Sequence, residues 1–346
     1  MASPPTYAFP DPPLKIETVT STSSGPVMSK DDMNNEESHG TTSPDASTSA
    51  AAQSGHTGSP PPRHAVLKTY KLYIGGKFPR TESGRTERFE NASGELCANV
   101  CRASRKDFRE AVEAARSAFG SWSARTAYNR AQILYRAAEM LEGRAAQFRE
   151  ELQHEGASEA EARTEVEAAI DRLVYYAGWA DKLQQVFGAV NPVASSHFNF
   201  SLLEPTGVVA IAAPTKPGLL GLVGVLAPAI VSGNTTVTLA SPDHPLSAIS
   251  FAEVLASSDV PGGVVNLLTG RRDELLEHFA SHMDVNALVL TDTADEETAA
   301  LRTAAADNLK RVIRREQADW NDAGCESPYW ILDTLEVKTT WHPVGT

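Results

Sequence analysis

Four apolar strand segments separated by helical segments constrain the fold of this chain more than any other feature. Val208–Ala213 is a continuous apolar run, as expected for a strand covered on both faces of a sheet. The segments predicted after it are helix Gly218–Ser232, strand Thr235–Leu239, helix Leu246–Ser257, strand Val264–Leu268, helix Asp273–His282, strand Ala287–Leu290 and helix Asp295–Val312. Because parallel strands need crossover helices, this alternation predicts an α/β fold with a doubly wound parallel sheet.

Three helices are predicted before the parallel sheet. The first follows Ser104, with Asp107 three residues on to complete a capping box. The second runs from about Thr126 to Gly143, and the third from about Ser158 to Leu183. Further upstream, the segment 71–78 predicts a strand over Lys71–Ile74, a tight glycine turn and a return strand.

Two further segments alternate strictly between apolar and polar residues. Phe198, Phe200 and Leu202 alternate with polar neighbours, which predicts a half-buried strand. The same pattern in Thr334–Trp341 predicts another two-sided strand, far from the parallel sheet in sequence.

The first 64 residues differ in composition from the rest of the chain. Ser, Thr, Pro, Gly, Ala, Asp and Glu dominate them, and apolar residues are too sparse to offset the entropy of ordering the segment. We therefore expect three parts: a disordered tail over 1–64, a folded α/β domain over 65–312, and a linker with a closing strand over 313–346.

Charge and cysteine content limit the function classes. The formal net charge of −13 argues against a nucleic-acid or anionic membrane surface as partner. No apolar run reaches the roughly 18 residues that a membrane helix needs. Cys97, Cys101 and Cys325 are too few for a disulfide framework, and no histidine lies beside the first two to complete a zinc site. These features predict a cytoplasmic protein.

Several strings of residues, in the right order, resemble the aldehyde dehydrogenase superfamily over roughly residues 68–312. The strings are Leu72-Tyr73-Ile74-Gly75-Gly76-Lys77, Tyr175-Tyr176-Ala177-Gly178-Trp179, Glu204-Pro205-Thr206-Gly207, Leu226-Ala227-Pro228-Ala229, Ser232-Gly233-Asn234-Thr235 and Val260-Pro261-Gly262-Gly263. The resemblance implies a Rossmann-type sheet with NAD or NADP as cofactor, and an oligomerisation hairpin at about 184–205. It also implies that the closing strand takes part in oligomerisation.

The positions that match the family's cofactor residues are poorly suited to a dinucleotide. By resemblance, Thr215, Lys216, Gly270 and Thr291 are the cofactor-binding candidates. Leu239 and Pro242 stand where the family has the lysine and glutamate that hold the ribose, with Asp243 one position away. In the phosphate-binding loop, carboxylates replace both glycines in Thr291–Glu297, where they would suit a helix N-terminus without any ligand. The glycines at 218, 221 and 224 lack the dinucleotide spacing and are predicted to permit close packing. The sequence therefore leaves two alternatives open: the chain binds NAD or NADP, or it binds no cofactor.

The family's catalytic groups have no clear counterpart in the chain. The chemistry needs a cysteine thiolate, an asparagine that stabilises the oxyanion and a glutamate base. Lys216 replaces the asparagine, and Cys325 lies between a glycine and a glutamate, which does not favour a thiolate. Lys216 and Cys325 are thus the only, weak, catalytic candidates. The short segment after Arg311 predicts that the catalytic domain is largely missing.

Three functions remain open on the sequence. The favoured one is a non-catalytic subunit, similar to the truncated second domain of two-domain aldehyde dehydrogenases. It would assemble with a full-length aldehyde dehydrogenase subunit, or with itself, through Thr334–Trp341. The alternatives are an oxidoreductase with atypical site residues and a cofactor-binding module without turnover.

Overall fold

The first described part of the chain is a small three-stranded sheet. The structure, a computed structural model, describes residues 66–317 and 319–345. Strands β1 (Lys68–Tyr70), β2 (Thr86–Glu90) and β3 (Leu96–Cys101) pair in the order β1-β3-β2. The tail predicted over 1–64 lies outside the described residues, so its disorder stays a prediction.

The glycine turn is present, and the strand predicted before it is reduced to isolated bridges. Ile74 and Lys77 exchange two 3.0 Å backbone hydrogen bonds across Gly75 and Gly76, whose φ angles are 60° and 78°. Tyr73, by contrast, exchanges backbone hydrogen bonds of 2.9 and 2.8 Å with Leu267. The predicted strand and return strand are thus present only as isolated bridges, because Ile74 pairs with Lys77, the Leu72 N–H donates to the Pro79 carbonyl at 3.1 Å, and Tyr73 pairs with Leu267.

Five helices follow: α1 (Arg105–Ser123), α2 (Ala127–Gly143), α3 (Ala145–His154), α4 (Glu159–Trp179) and α5 (Leu183–Phe187). The predicted capping box is confirmed, since Ser104 Oγ accepts from the Asp107 N–H and the Asp107 carboxylate accepts from the Ser104 N–H at 2.7 Å. The sequence reading missed α3, which buries only Phe148, Glu151 and Leu152 and so shows a weak apolar stripe.

The remaining elements are β4 (Ala189–Asn191), β5 (His197–Pro205), β6 (Val208–Ala212), α6 (Leu219–Val231), β7 (Thr235–Leu239), α7 (Pro245–Ala256), β8 (Val265–Leu268), α8 (Arg272–Ser281), β9 (Ala287–Thr291), α9 (Asp295–Ala305), β10 (Arg311–Arg315), α10 (Tyr329–Leu332) and β11 (Leu335–Pro343). Strands β6 to β10 form one parallel sheet in the order β10-β9-β6-β7-β8. Alternate residues of β6 enter two separate apolar cores, Val209 and Ile211 in one and Val208 and Ala210 in the other. The sheet is thus covered on both faces, as predicted.

The fifth strand corrects the sequence reading. A single helix was predicted over Asp295–Val312, but α9 ends at Ala305, and Leu309 then takes a left-handed conformation with φ 55°. The chain continues as β10, which pairs with β9 at the edge of the sheet. Because this edge strand is only half buried and carries three arginines, it lacks the apolar run that marks a central strand.

Helix α6 lies at the centre of the larger core, and all of its residues are buried. A Cβ added at Gly221 would collide with the Pro214 ring, and one at Gly224 would lie 3.2 Å from the Trp320 ring. The prediction that these glycines permit close packing is confirmed. No helix within the described ranges has the length and apolar character needed to cross a bilayer.

A third sheet is antiparallel, with the order β11-β5-β4. Strand β11 pairs with β5 along its whole length, from Leu335 opposite Pro205 to Pro343 opposite His197. The alternating pattern of β5 predicts that Phe198, Phe200 and Leu202 face the core, but the structure buries other residues. Asn199 and Leu203 are the buried residues, whereas Phe198 and Leu202 are 46% and 45% exposed. The apolar face of this strand is therefore largely uncovered in this chain.

The segment 316–334 connects β10 to β11 and packs on the core rather than forming an extended linker. Trp320, Cys325, Trp330 and Ile331 belong to the larger apolar core. The guanidinium of Arg172, which is 2% exposed, donates to the carbonyl oxygens of Trp320 and Cys325 at 3.0 and 2.9 Å. This short segment thus closes the side of the domain next to α4 and α6.

Candidate functional site

The carboxyl ends of β6 and β9 mark the point where the strand order of the parallel sheet reverses. In doubly wound sheets, this switch point opens the crevice that binds a ligand. Here the Arg272 guanidinium lies across it, donating to the carbonyl oxygens of Ala213, which follows β6, and Thr291, at the end of β9. Burial lowers the pKa of Arg272, while Asp292 and Glu297 raise it. An arginine of this chain thus bridges the two strand ends.

A second internal contact crosses the same crevice. Asp292, the residue after β9, has a φ of 51°, a left-handed conformation that glycine adopts more readily. Its carboxylate accepts a 2.6 Å hydrogen bond from the backbone N–H of Thr215. A backbone donor that could face a phosphate is therefore occupied by a carboxylate of the chain, and a negative charge lies beside it.

The other cofactor candidates also bond internally or pack closely. The hydroxyl of Thr291 is buried and donates to the Ala212 carbonyl at 2.8 Å. Gly270 follows β8, where an added Cβ would lie 3.3 Å from the Ala103 backbone nitrogen. The structure therefore places Thr215 and Thr291 together at the switch point and Gly270 at the next strand end. As they stand, these contacts do not fit a dinucleotide.

Lys216 lines a separate cavity of about 550 Å³ between α4, the start of α6 and residues 317 and 319–321. Its charged lining consists of Glu155, Glu161, Glu165, Asp319 and Lys216. Two of these carboxylates accept hydrogen bonds from the N-terminal N–H groups of helices. Glu165 accepts from the N–H groups of Leu219 and Leu220 at 2.6 and 3.2 Å, and Glu155 accepts from those of Leu246 and Ser247 at 2.6 and 3.1 Å.

Glu155 is the most perturbed group of this cavity. Burial raises its pKa to about 8, against the opposing effect of its hydrogen bonds from Ser247 and Leu246. Burial also raises the pKa of Glu165 and lowers that of His244, on the opposite wall. A carboxylate at a helix N-terminus is stabilised by the unpaired N–H groups and the helix dipole. The first role of Glu155 and Glu165 is therefore to cap α7 and α6.

Cys325 is placed away from Lys216. Its thiol is fully buried and donates to Gln317 Oε1 at 3.2 Å and to the Asp319 carbonyl at 3.4 Å. Burial raises its pKa, so the thiolate is disfavoured. Cys325 does not line the cavity that contains Lys216, and the structure does not bring these two catalytic candidates together.

Sequence reasoning missed Arg272 and the two capping carboxylates. Arg272 bonds the ends of β6 and β9, whereas Glu155 and Glu165 bond the first residues of α7 and α6. One local signal existed for Arg272, since it lies four residues after β8, on the edge of the sheet where the loops converge.

The strand order β10-β9-β6-β7-β8, with an apolar core on each face, defines a Rossmann-type α/β protein. The sequence profile of the aldehyde dehydrogenase family matches residues 78–319. The chain belongs to the aldehyde dehydrogenase family.

Individual relatives agree with this assignment. The chain is 32% identical to D-glyceraldehyde dehydrogenase (NADP(+)) of Thermoplasma acidophilum over 79% of its own length and 55% of the relative's. It is 33% identical to the cytosolic 10-formyltetrahydrofolate dehydrogenase of Mus musculus, over 70% of its own length and 28% of that protein's.

Solved structures give the same result. The NAD+ complex of aldehyde dehydrogenase from Bacillus cereus superimposes with a TM-score of 0.68 at 26% identity, covering 72% of this chain and 51% of that one. The apo form of indole-3-acetaldehyde dehydrogenase superimposes with a TM-score of 0.68 at 28% identity, covering 71% of this chain and 57% of that one. The chain therefore spans about half the length of the Thermoplasma acidophilum and Bacillus cereus dehydrogenases, and 28% of the 10-formyltetrahydrofolate dehydrogenase.

Proposed function

We propose that this chain is a non-catalytic member of the aldehyde dehydrogenase family that assembles with a full-length aldehyde dehydrogenase subunit. The observation that carries the proposal is the position of β11. Among the described residues this strand pairs only with β5, so its other edge is open for strand addition. A second copy of this chain is the alternative occupant of that edge.

Exposed apolar side chains surround the open strand. Val337 and Trp341 on β11 are 65% and 58% exposed, and Val190 on β4 is 67% exposed. Phe198 and Leu202 are also exposed, on the same face as Val190 and on the opposite face from Val337 and Trp341. Large side chains on a strand with unpaired backbone groups favour a protein partner, since the backbone supplies affinity and the side chains supply specificity.

The geometry of the sheet edge supports a chain that does not oxidise aldehydes by itself. Arg272 and Asp292 occupy the switch point with internal hydrogen bonds, and Cys325 is a buried thiol with a raised pKa. NAD and NADP, which the relatives' names and structures mention, would have to displace these contacts. We therefore propose that the chain alone binds neither. The three free cysteines favour a reducing compartment such as the cytoplasm.

Co-purification tests the assembly. The tagged full chain is expected to retain an aldehyde dehydrogenase subunit from lysate of its source. Val337→Lys combined with Trp341→Lys should abolish the retention, because two charges would be buried at the new interface. Tyr128→Lys replaces a side chain with a similar exposure of 65% on α2 and is expected to leave retention unchanged. Elution of the chain alone at monomer mass contradicts the proposal, and elution as a dimer of itself favours the alternative.

Thermal denaturation in the presence of cofactor tests the proposal that the chain alone binds neither NAD nor NADP. A ligand present at about 100 times its dissociation constant adds about 2.7 kcal/mol to the free energy of unfolding. We expect no change in melting temperature with millimolar NAD or NADP, and no NAD(P)H formation from aldehydes. Aldehyde-dependent NAD(P)H formation that Cys325→Ser or Lys216→Ala abolishes would instead identify an active oxidoreductase. Stabilisation by cofactor without turnover would identify a binding module.

A further inference from the structure

A cationic cavity lies between α1 and α8. Its volume is about 390 Å³, and its lining consists of Arg105, Lys106, Phe108, Arg109, His278, Ser281 and His282. No carboxylate is among these residues, although the whole chain has a net charge of −13. A concavity lined by one sign of charge concentrates ligands of the opposite sign. The local chemistry of this cavity therefore differs from the average surface of the protein.

The three basic side chains are available to a ligand. Within the described residues, Arg105 takes part in no ion pair. Lys106 pairs with Glu82 at 2.5 Å, and Arg109 pairs with Glu113 at 3.5 Å. All four of these paired side chains are well exposed, and such pairs contribute only about 0–1 kcal/mol. A doubly charged anion can therefore compete for both cations.

The start of α1 adds backbone donors to the same wall. Arg105 and Lys106 are its first two residues, and the N–H groups of a first helical turn have no acceptor within the helix. The acidic residue of this turn does not compete, because Asp107 is buried and its carboxylate accepts from Thr81 Oγ1 at 2.7 Å and from the Glu82 N–H at 3.0 Å. The positive end of the helix dipole thus lies beside the cavity.

The opposite wall supplies a neutral donor in a fixed position. His282 Nδ1 accepts a 3.2 Å hydrogen bond from the Asp284 N–H, and burial lowers the pKa of the imidazole. A neutral imidazole that accepts through Nδ1 carries its hydrogen on Nε2. The ring also contacts Phe108 edge-on, with 5.6 Å between centroids, so its orientation is constrained by packing.

From this arrangement we propose that the cavity between α1 and α8 binds a small phosphate monoester. Arg105, Lys106 and Arg109 neutralise the dianion, and His282 and Ser281 donate to its oxygens. Arginine suits this ligand because its fork of N–H groups matches two phosphate oxygens. The volume of about 390 Å³ leaves room beside the phosphate group for the organic part of the ester. The site is independent of the proposed assembly and of the strand ends.

Isothermal titration of the full chain with glucose 6-phosphate, inorganic phosphate and glucose, at constant ionic strength, tests the proposal. Saturable 1:1 binding of glucose 6-phosphate is expected, weaker binding of inorganic phosphate and no binding of glucose. Arg105→Ala should raise the dissociation constant of glucose 6-phosphate at least about tenfold, which corresponds to about 1.4 kcal/mol of binding free energy. Equal affinity for the two phosphates would identify a free-phosphate site and overturn the ester assignment.

Matched variants separate the site from a general charge effect. Arg109→Ala and Arg163→Ala each remove an exposed arginine that pairs with a glutamate four residues on, but only Arg109 lines the cavity. Only Arg109→Ala should weaken binding. Lys106→Gln provides a second cavity variant should Arg105→Ala unfold. Failure to saturate, or equal weakening by Arg163→Ala, overturns the proposal.

Discussion

The guanidinium of Arg172, on α4, donates a 2.9 Å hydrogen bond to the carbonyl oxygen of Cys325 in the segment between β10 and β11. The same side chain bonds the Trp320 carbonyl and lies 3.4 Å from the Glu326 carboxylate. One buried cation on α4 therefore fastens this segment at Trp320, Cys325 and Glu326. This contact gives Cys325 a structural role, since its carbonyl accepts from Arg172 and its buried thiol donates to Gln317 and Asp319.

Arg172→Ala should strongly destabilise the domain. Removing the guanidinium creates a cavity, leaves the Trp320 carbonyl without this donor and leaves the Cys325 carbonyl with only a 3.4 Å hydrogen bond from the Tyr176 hydroxyl. An unsatisfied buried group costs about 1–3 kcal/mol. We expect a loss of about 3 kcal/mol or more in the free energy of unfolding, measured by urea denaturation. Arg163→Ala, on the exposed side of the same helix, should change it by less than about 0.5 kcal/mol. Similar small effects of both variants would show that the segment is held by other contacts.

Two helix glycines should respond oppositely to alanine. Gly221→Ala in α6 should lower the free energy of unfolding by about 1–3 kcal/mol, because the new Cβ would collide with the Pro214 ring. Gly178→Ala in α4 should raise it by up to about 1 kcal/mol, since the nearest atom is the mobile Lys182 Nζ at 3.8 Å and alanine favours the helix. Stabilisation by Gly221→Ala would contradict the close contact between α6 and Pro214.

The parts of the fold that could be predicted from sequence are those whose signal is local. Strands β6 and β9 are buried on both faces and read as apolar runs, and Ser104 and Asp107 mark the start of α1 within four residues. Strand β10 lies at a sheet edge, so charged residues replace the apolar run. Its existence depends on pairing with β9, which no local pattern encodes.

The candidate site was predictable only in outline. The family resemblance named Thr215 and Thr291, and the structure places both at the carboxyl ends of β6 and β9, while their role in binding stays a prediction. What fills that edge depends on contacts between distant elements. Arg272 reaches back to Ala213, and Glu155 caps a helix that begins at residue 245. Such partners are visible only once the helices are packed.

Thiol reactivity should distinguish the three cysteines. Cys101 and Cys325 are 1% and 0% exposed, whereas Cys97 is partly exposed on β3. In the native chain a thiol reagent should therefore modify Cys97 first, and Cys97→Ser should remove the fast phase. All three should react at similar rates in urea. Fast modification of Cys325 in the native Cys97→Ser variant would show that this thiol is accessible and would reopen its catalytic candidacy.

The pH dependence of stability should report on Glu155. Burial raises its pKa from 4.5 to about 8 in the folded chain, so the folded state retains a proton that the unfolded state has lost between these values. The contribution of Glu155 is thus fully present below pH 4.5 and is lost as the pH rises through 8.

Glu155→Gln removes this titration. The free energy of unfolding of the wild type minus that of the variant should therefore fall between pH 5 and pH 8. Urea denaturation across this range measures the difference, with Glu159→Gln, an exposed carboxylate at the start of α4, as the control. A difference that stays constant with pH would mean that the hydrogen bonds from Leu246 and Ser247 keep Glu155 ionised throughout.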